Sequence, residues 1–164
     1  MFIDFHQHPY PGVHEFMAEN HIARTVLLAG PGDGNAMVVR WAARWPGTFI
    51  PFYWVNDLDH PDKAADELEA AVAKHRFRGV KFHPAAQRFF PEEKKYRPIF
   101  ARAQKLGLIV LFHSGVVQFD ACKAGYSSPV GLDALAGEFG DLDIVIAHLG
   151  GNYHYEALVI AEKN

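Results

Sequence analysis

A chain of 164 residues, 49% of them apolar, is long enough for one domain with a buried core and too apolar to be disordered. Its net charge of −3 gives no basic field, so neither nucleic acid nor an anionic membrane is expected as a partner. Cys122 is the single cysteine, and neither a signal peptide nor an apolar stretch of membrane-spanning length is found. We therefore expect a cytoplasmic protein.

Short apolar runs alternate with longer helical patterns along the chain. The apolar runs predict six strands, at residues 1–8, 24–30, 48–56, 78–84, 108–115 and 142–151. The helical patterns predict helices at residues 12–21, 35–45, 63–75, 97–107, 127–140 and 153–163. Strands that alternate with helices of this length favour βαβ units around a parallel sheet, in a single domain over residues 1–164.

Capping residues support several of these helix boundaries. Asn35 is a predicted N-cap of the second helix. Pro98 fits the first turn of helix 97–107, and Gly107 fits its C-terminal cap. A serine N-cap followed by Pro129 at the first helical position predicts the start of the helix within residues 127–140.

Histidines stand at the carboxyl ends of four predicted strands. Because side chains alternate along a strand with period two, His6 and His8 are predicted to project to the same side of the first strand. His113 follows the fifth strand in line with Leu111 and Ile109. These placements predict that histidines from distant parts of the chain meet at one edge of the sheet.

The fourth and sixth strands show the same pattern. Lys81 and His83 are predicted to share one face of the fourth strand. His148 is predicted to lie in line with Ile146 and Ile144 of the sixth. In parallel α/β folds the carboxyl ends of the strands form the ligand site, so all these side chains are candidates for one site.

Neutral imidazole is a good ligand for Zn²⁺, Fe²⁺ or Mn²⁺. A catalytic metal site uses about three protein ligands and leaves a position for water. His6, His8 and His113 can supply three nitrogens to a divalent ion, with Zn²⁺ as the first expectation and Mn²⁺ or Fe²⁺ as alternatives. His148 is then a catalytic base or a further ligand.

The motifs IDFHQH, RGVKFHP, LIVLFHSG and DIVIAHLGG, in this order, resemble the amidohydrolase superfamily. Within it they resemble the amidohydrolase-related branch, which includes metal-dependent hydrolases and decarboxylases of the aminocarboxymuconate-semialdehyde type. The resemblance implies an α/β fold, the TIM (β/α)8 barrel, with His6 and His8 as the H-x-H ligands and His113 as the ligand of the fifth strand. It implies that His148 activates water or moves a proton, and that Lys81 occupies a position that is carboxylated in binuclear relatives.

One feature of that family has no counterpart in the predicted strands. The family takes an essential aspartate from the end of an eighth strand, and Asp4, Asp120 and Asp133 do not occupy a matching position. We therefore expect an incomplete barrel, truncated after its sixth strand, in a fragment of a longer protein. Otherwise an oligomer, most simply a homo-oligomer, must cover the open edges.

The expected function is hydrolysis of a small carboxylate, amide or lactone by metal-activated water. Lys81, His83 and His154 are candidate substrate-binding residues, although Lys81 also fits an interior ion pair, His83 a loop-shaping role and His154 a plain helix start. A non-oxidative decarboxylase on the same scaffold is the nearest alternative. An inactive metal-binding fragment that lacks the aspartate is the alternative of another class.

Overall fold

The structure, a computed structural model, describes residues 2–117 and 123–164, so Asp120 and Cys122 lie outside the described residues. It contains six strands: β1 Phe2–Gln7, β2 Ile22–Leu28, β3 Phe49–Trp54, β4 Gly79–Phe82, β5 Ile109–Phe112 and β6 Ile144–Ile146. The α-helices are α1 Val13–Glu19, α2 Gly34–Arg44, α3 Pro61–His75, α4 Pro84–Gln87, α5 Arg97–Lys105, α6 Val130–Glu138 and α7 His154–Lys163. Short 3₁₀ segments occupy Lys94–Tyr96, Ala124–Ser127 and Ala147–Tyr153.

All six strands form one parallel sheet in the order β1-β2-β3-β4-β5-β6. The predicted α/β fold is therefore confirmed, and the sheet forms a half-barrel with β1 and β6 at its two edges. Because every strand runs in the same direction, all six carboxyl ends lie along one rim of this half-barrel.

Apolar side chains cover both faces of the sheet. The larger core lies between the sheet and the helices and includes Val80, Phe82 and Phe112. The rings of Phe82 and Phe112 pack against that of Phe100 in α5. The smaller core lies on the opposite, concave face and contains Val26, Leu28, Phe52, Leu111 and Ala147. Strand alternation thus places Val80 and Phe82 on one face of β4 and Lys81 on the other, as the sequence predicts.

The predicted N-cap role of Asn35 is wrong. Helix α2 begins at Gly34, and Asp33 stands at the cap position without a side-chain cap bond. The amide of Asn35 instead pairs with the backbone of Trp54: its Nδ2 donates to the Trp54 carbonyl and its Oδ1 accepts from the Trp54 N–H, both at 2.8 Å. Asn35 therefore ties the first turn of α2 to the end of β3.

Among the other predicted caps, Pro98 in the first turn of α5 and Gly107 after its end are confirmed, whereas Pro129 is displaced by one residue. Pro129 stands at the N-cap position of α6 rather than at its first helical residue, and the Ser128 hydroxyl accepts from the Val130 N–H at 3.3 Å. Gly107 directly follows Leu106, the C-cap residue of α5, and has a left-handed φ of 61° that glycine adopts without strain. Helix α4 and the 3₁₀ segments were not predicted, because runs this short carry no helical periodicity.

Among the described residues, no helix is both long enough and apolar enough to cross a membrane.

The two edges of the sheet expose large apolar side chains. On β1, Phe2 is 68% and Ile3 is 59% exposed, and beyond β6 the side chains of Leu149 and Leu158 are 84% and 57% exposed. An edge strand with free backbone groups and apolar side chains recruits other strands or apolar surfaces.

We predict that the protein self-associates through these edges, and that Ile3→Lys weakens the association because a charge on an edge strand opposes pairing. Light scattering across a concentration series measures it. Ala73→Lys on the exposed side of α3 adds the same charge away from both edges and should leave the association unchanged. A parent protein that is monomeric at every concentration would contradict the prediction.

Candidate active site

Five histidines meet at the rim formed by the carboxyl ends of the strands. The ring centroids of His6 and His8 are 5.5 Å apart, and His6 lies 4.5 Å from His148. His113 lies 4.8 Å from His148 and stacks on His83 at 3.8 Å, with the ring planes 8° apart. We call His6, His8, His83, His113 and His148 the histidine cluster. The cluster brings together residues that lie far apart in the sequence, from position 6 to position 148.

The first two members come from the end of β1. The His6 N–H donates to Oδ1 of Asp4 at 3.0 Å, and the His8 N–H donates to Oε1 of Gln7 at 3.1 Å. The pairing of β1 with β2 shifts register between Asp4 and Gln7. The strand therefore ends in an irregular segment that is held by its own side chains, and both imidazoles reach the cluster from it.

His113 is fixed by backbone groups of its neighbours. Its N–H donates to the Phe82 carbonyl of β4 at 2.9 Å, and its ring Nε2 lies 3.3 Å from the Gly115 carbonyl oxygen. A carbonyl oxygen only accepts, so Nε2 carries the proton and Nδ1 has a free lone pair. That Nδ1 lies 3.2 Å from Nε2 of His148, which must then be the donor.

His148 reaches the cluster by a different route from the one predicted. Ile144 and Ile146 pack against the core on the helix side of the sheet, whereas Val145 and Ala147 face the concave side. By strand alternation alone, His148 would point away from the cluster, so the prediction that it lies in line with Ile144 and Ile146 is wrong. The backbone corrects this, because His148 and Leu149 adopt left-handed φ values of 59° and 50°.

Two glycines make this backbone conformation compatible with the loop after β5. Gly150 and Gly151 also have positive φ values, of 78° and 56°. A Cβ placed on Gly151 would lie 2.8 Å from the Cα of Gly115, and a Cβ on Gly115 would lie 3.1 Å from the Cα of Gly151. Only glycine permits so close an approach, so the loops that carry His113 and His148 are in direct backbone contact.

His83 follows β4 and caps helix α4. Its Nδ1 accepts from the Ala86 N–H at 3.2 Å, and its backbone N–H donates to Oε1 of Gln87 at 2.7 Å. The Nε2 of Gln87 donates in turn to the Val55 carbonyl at 2.8 Å. His83 is thereby fixed to the loop that follows β3 as well as to its own helix.

Lys81 lies beneath the cluster on the concave face of β4. Its side chain is 1% exposed, and its Nζ has no hydrogen-bond partner among the described residues. Burial lowers the pKa of this amine to about 7. The predicted alternative of an interior ion pair finds no support in residues 2–117 and 123–164, because no carboxylate pairs with Lys81 there.

The surroundings of the cluster favour the neutral form of its imidazoles. Burial, and after it the charge of Lys81, lowers the pKa of His6 to about 3 and that of His83 to about 4. Burial followed by His83 and Lys81 lowers the pKa of His113 to about 3. The pKa values of the more exposed His8 and His148 are also lowered, by burial and then by Lys81. At neutral pH these rings therefore keep a lone pair that can accept a proton or bind a metal ion.

The donor chemistry fits a divalent metal ion, although the side chains are not already arranged around one. Within the two described segments, no three His, Cys, Asp or Glu side chains could hold an ion as they stand. The imidazoles are nonetheless neutral, and the Nε2–H of His113 is held by a backbone carbonyl while its Nδ1 faces the cluster. A hydrogen bond of this kind on the second ring nitrogen is typical of metal-binding histidines.

His154 is the predicted site residue that the structure does not bring into the cluster. It is the first residue of α7, exposed, with its ring 5.7 Å from that of Tyr155. Sequence reasoning in turn missed Gln87 and the Gly115–Gly151 contact. The HLGG sequence after β6 is the only signal that could have indicated the glycine contact, since paired glycines mark an unusual backbone.

Comparisons with known proteins identify a family and a fold that the chain resembles. The model of a protein family described as Amidohydrolase matches residues 11–163. No curated protein matches the chain. An uncharacterized TIM-barrel protein from Bordetella bronchiseptica is similar in structure, with a TM-score of 0.82 at 19% identity over 99% of this chain and 72% of that one.

Two similar structures have more specific descriptions. A probable 2-pyrone-4,6-dicarboxylic acid hydrolase from Acinetobacter baumannii with citric acid bound has a TM-score of 0.71 at 16% identity, over 97% of this chain and 66% of that one. A 5-carboxyvanillate decarboxylase from Novosphingobium aromaticivorans with bound manganese has a TM-score of 0.71 at 16% identity, over 88% and 50%. The chain thus spans about half the length of the decarboxylase and two thirds of the hydrolase. At these identities the likeness shows the fold.

We predict that Gly151→Ala destabilises the protein more than Gly107→Ala. Both glycines have left-handed φ values, of 56° and 61°, but a Cβ at position 107 meets nothing within 4 Å. Gly107→Ala should cost only the backbone penalty of about 1–2 kcal/mol. Gly151→Ala should cost about 1–3 kcal/mol more from overpacking. Urea unfolding measures both, and equal losses would show that the two loops separate easily.

Proposed function

The chain belongs to the amidohydrolase family, and we propose that its histidine cluster is the centre of a metal-dependent hydrolase for a small carboxylate, amide or lactone. The observation that carries this proposal is the arrangement of His113. Its Nε2–H is held by a backbone carbonyl, so its bare Nδ1 is presented to the other imidazoles. We propose this activity, its substrate class and the partners for the whole protein as well.

His6, His8 and His113 would hold the ion, which we propose to be Zn²⁺, with Mn²⁺ and Fe²⁺ as alternatives. Three neutral imidazoles suit any of these metals, and the related decarboxylase structure contains manganese. When bound, the ion would supply a water of lowered pKa and would polarise the carbonyl of the substrate. Closure of the cluster around it requires the His113 Nδ1 to exchange its present partner, His148, for the ion.

His148 is the proposed general base. Its Nε2 donates to His113, so its Nδ1 carries a free lone pair. The side chain is exposed, so a substrate can reach it. A lowered pKa keeps the ring neutral at physiological pH and therefore able to accept a proton.

A non-oxidative decarboxylase is the second candidate, and Lys81 is the observation that favours it. A buried amine without a partner among the described residues is stabilised by an anion, and the carboxylate of a substrate is such an anion. In this reaction His148 would first take up a proton from solvent and would then give that proton to carbon. We also propose that the protein acts on small molecules and assembles as a homo-oligomer.

We predict that His6→Ala/His8→Ala removes most of the bound Zn²⁺, because two of three ligands are lost. Metal analysis of protein loaded with one equivalent of Zn²⁺ and then desalted measures it. His60→Ala/His75→Ala, which removes two exposed histidines outside the cluster, is the matched control and should keep the parent's metal content. Equal metal in all three proteins would refute the ligand assignment.

For His148→Ala we predict retention of the metal and a loss of turnover of about 10²–10⁴-fold, the usual effect of removing a general acid–base group. Turnover should be assayed with nitrophenyl esters, lactones and N-acyl amino acids, and with aromatic carboxylates for release of carbon dioxide. His75→Ala serves as the control. Turnover within twofold of the parent would remove His148 from the mechanism, and metal binding without any turnover in the parent would favour an inactive metal-binding protein.

A further inference from the structure

We propose that His83 is a hydrogen-bond donor to the substrate, acting through Nε2–H on a carbonyl or carboxylate oxygen. The proposal rests on the proposed function in one respect, namely that the substrate lies against the histidine cluster. It assigns His83 a role different from that of the other four imidazoles, because its ring cannot present a free lone pair to the cluster.

The tautomer of His83 follows from its hydrogen bond to helix α4. The Ala86 N–H is a donor only, and it is 3.2 Å from Nδ1 of His83. Nδ1 must therefore be the acceptor and carry no proton. A neutral imidazole has one N–H, so the proton of His83 is on Nε2. This conclusion depends only on which atoms donate and accept.

The Nε2–H of His83 has no hydrogen-bond partner among the described residues. The ring is half-buried and lies face to face with His113, at a centroid distance of 3.8 Å. Nζ of Lys81 is buried without a hydrogen-bond partner, whereas Nε2 of His83 is not buried in this way. The group is thus a donor that remains accessible beside a proposed metal ligand, where the reacting part of a substrate would lie.

His83 is also held rigidly, as a substrate-orienting group must be. Three hydrogen bonds fix it: Ala86 N–H to its ring, its own N–H to Oε1 of Gln87, and the Gln87 N–H to its carbonyl at 2.8 Å. Gln87 is a positioning residue, since its Nε2 also donates to the Val55 carbonyl beyond β3. Little side-chain freedom remains to be lost when a substrate oxygen accepts the Nε2–H.

The same tautomer argues against His83 as a metal ligand. Nδ1 already accepts the helix N–H, and Nε2 must lose a proton before it can bind an ion. His6, His8 and His113 remain the proposed ligands. A neutral donor that adds no charge can recognise both an ionised carboxylate and an uncharged amide or lactone carbonyl, so it fits the whole proposed substrate class.

Two substitutions separate the donor from the helix cap. Asn and Ser are both good N-cap residues, so His83→Asn and His83→Ser should both keep α4 capped. Asn retains an N–H donor beside the cap oxygen, whereas the Ser hydroxyl is too short to replace Nε2. Thermal unfolding of the two variants should therefore agree, and only the binding of acceptor ligands should differ.

The experiment is ¹⁵N-edited NMR of the histidine rings in Zn²⁺-loaded protein, titrated with benzoate and separately with benzamide. We expect a protonated Nε2 and a bare Nδ1 at His83, assigned by its loss in the variants, and a shift of Nε2–H with either probe. We expect His83→Ser to bind the probes about tenfold more weakly than the parent, in line with one lost hydrogen bond, and His83→Asn to fall in between.

A protonated Nδ1 would overturn the proposal, as would equal affinities in all three proteins or no His83 shift with either probe. A shift with benzoate alone would restrict the acceptor to carboxylates, and a shift with benzamide alone would restrict it to carbonyls. Failure of the proposed function looks different: the parent and His148→Ala would then be equally inactive, while the ring signals and the probe affinities at His83 would still agree with the donor role.

Discussion

Parallel pairing of six consecutive strands is the constraint on which the rest of this structure depends. Each strand pairs in parallel with the next one in the sequence, so all carboxyl ends lie on one rim. Residues 6 and 148 become neighbours through this arrangement together with the left-handed backbone after β6. The helices cover the convex face and the smaller core fills the concave face, which leaves the rim as the part of the sheet where polar side chains can gather.

The chemical character of the rim comes from burial without a compensating charge. No carboxylate of the described residues is among the groups that shift the pKa values of the cluster. Burial and the amine of Lys81 both favour the neutral imidazole, and Lys81 is itself driven towards its neutral form. The cluster is consequently rich in lone pairs and N–H donors and poor in negative charge. Such a site favours a cation bound by lone pairs together with an anionic or carbonyl-bearing ligand.

The sequence predicted most of the fold and the membership of the cluster, but not how each member is held. Strand alternation was sufficient for His113, because its strand is regular up to the last residue. It placed His148 on the wrong face, since the backbone after β6 is left-handed and no alternation rule describes it. The donor role of His83 depends on a four-residue helix whose N–H groups it caps, and so short a helix has no periodic signal. The truncation predicted from the resemblance stays a prediction.

Two of these imidazoles are anchored by backbone groups, His113 by the carbonyl of Gly115 and His83 by the N–H of Ala86. Every residue type except proline has a backbone N–H, so the anchor at position 86 persists through most substitutions, whereas position 115 must stay glycine because of its contact with Gly151. The consequence concerns evolvability. The side chains around the cluster can diversify while the orientations of these two rings are inherited unchanged.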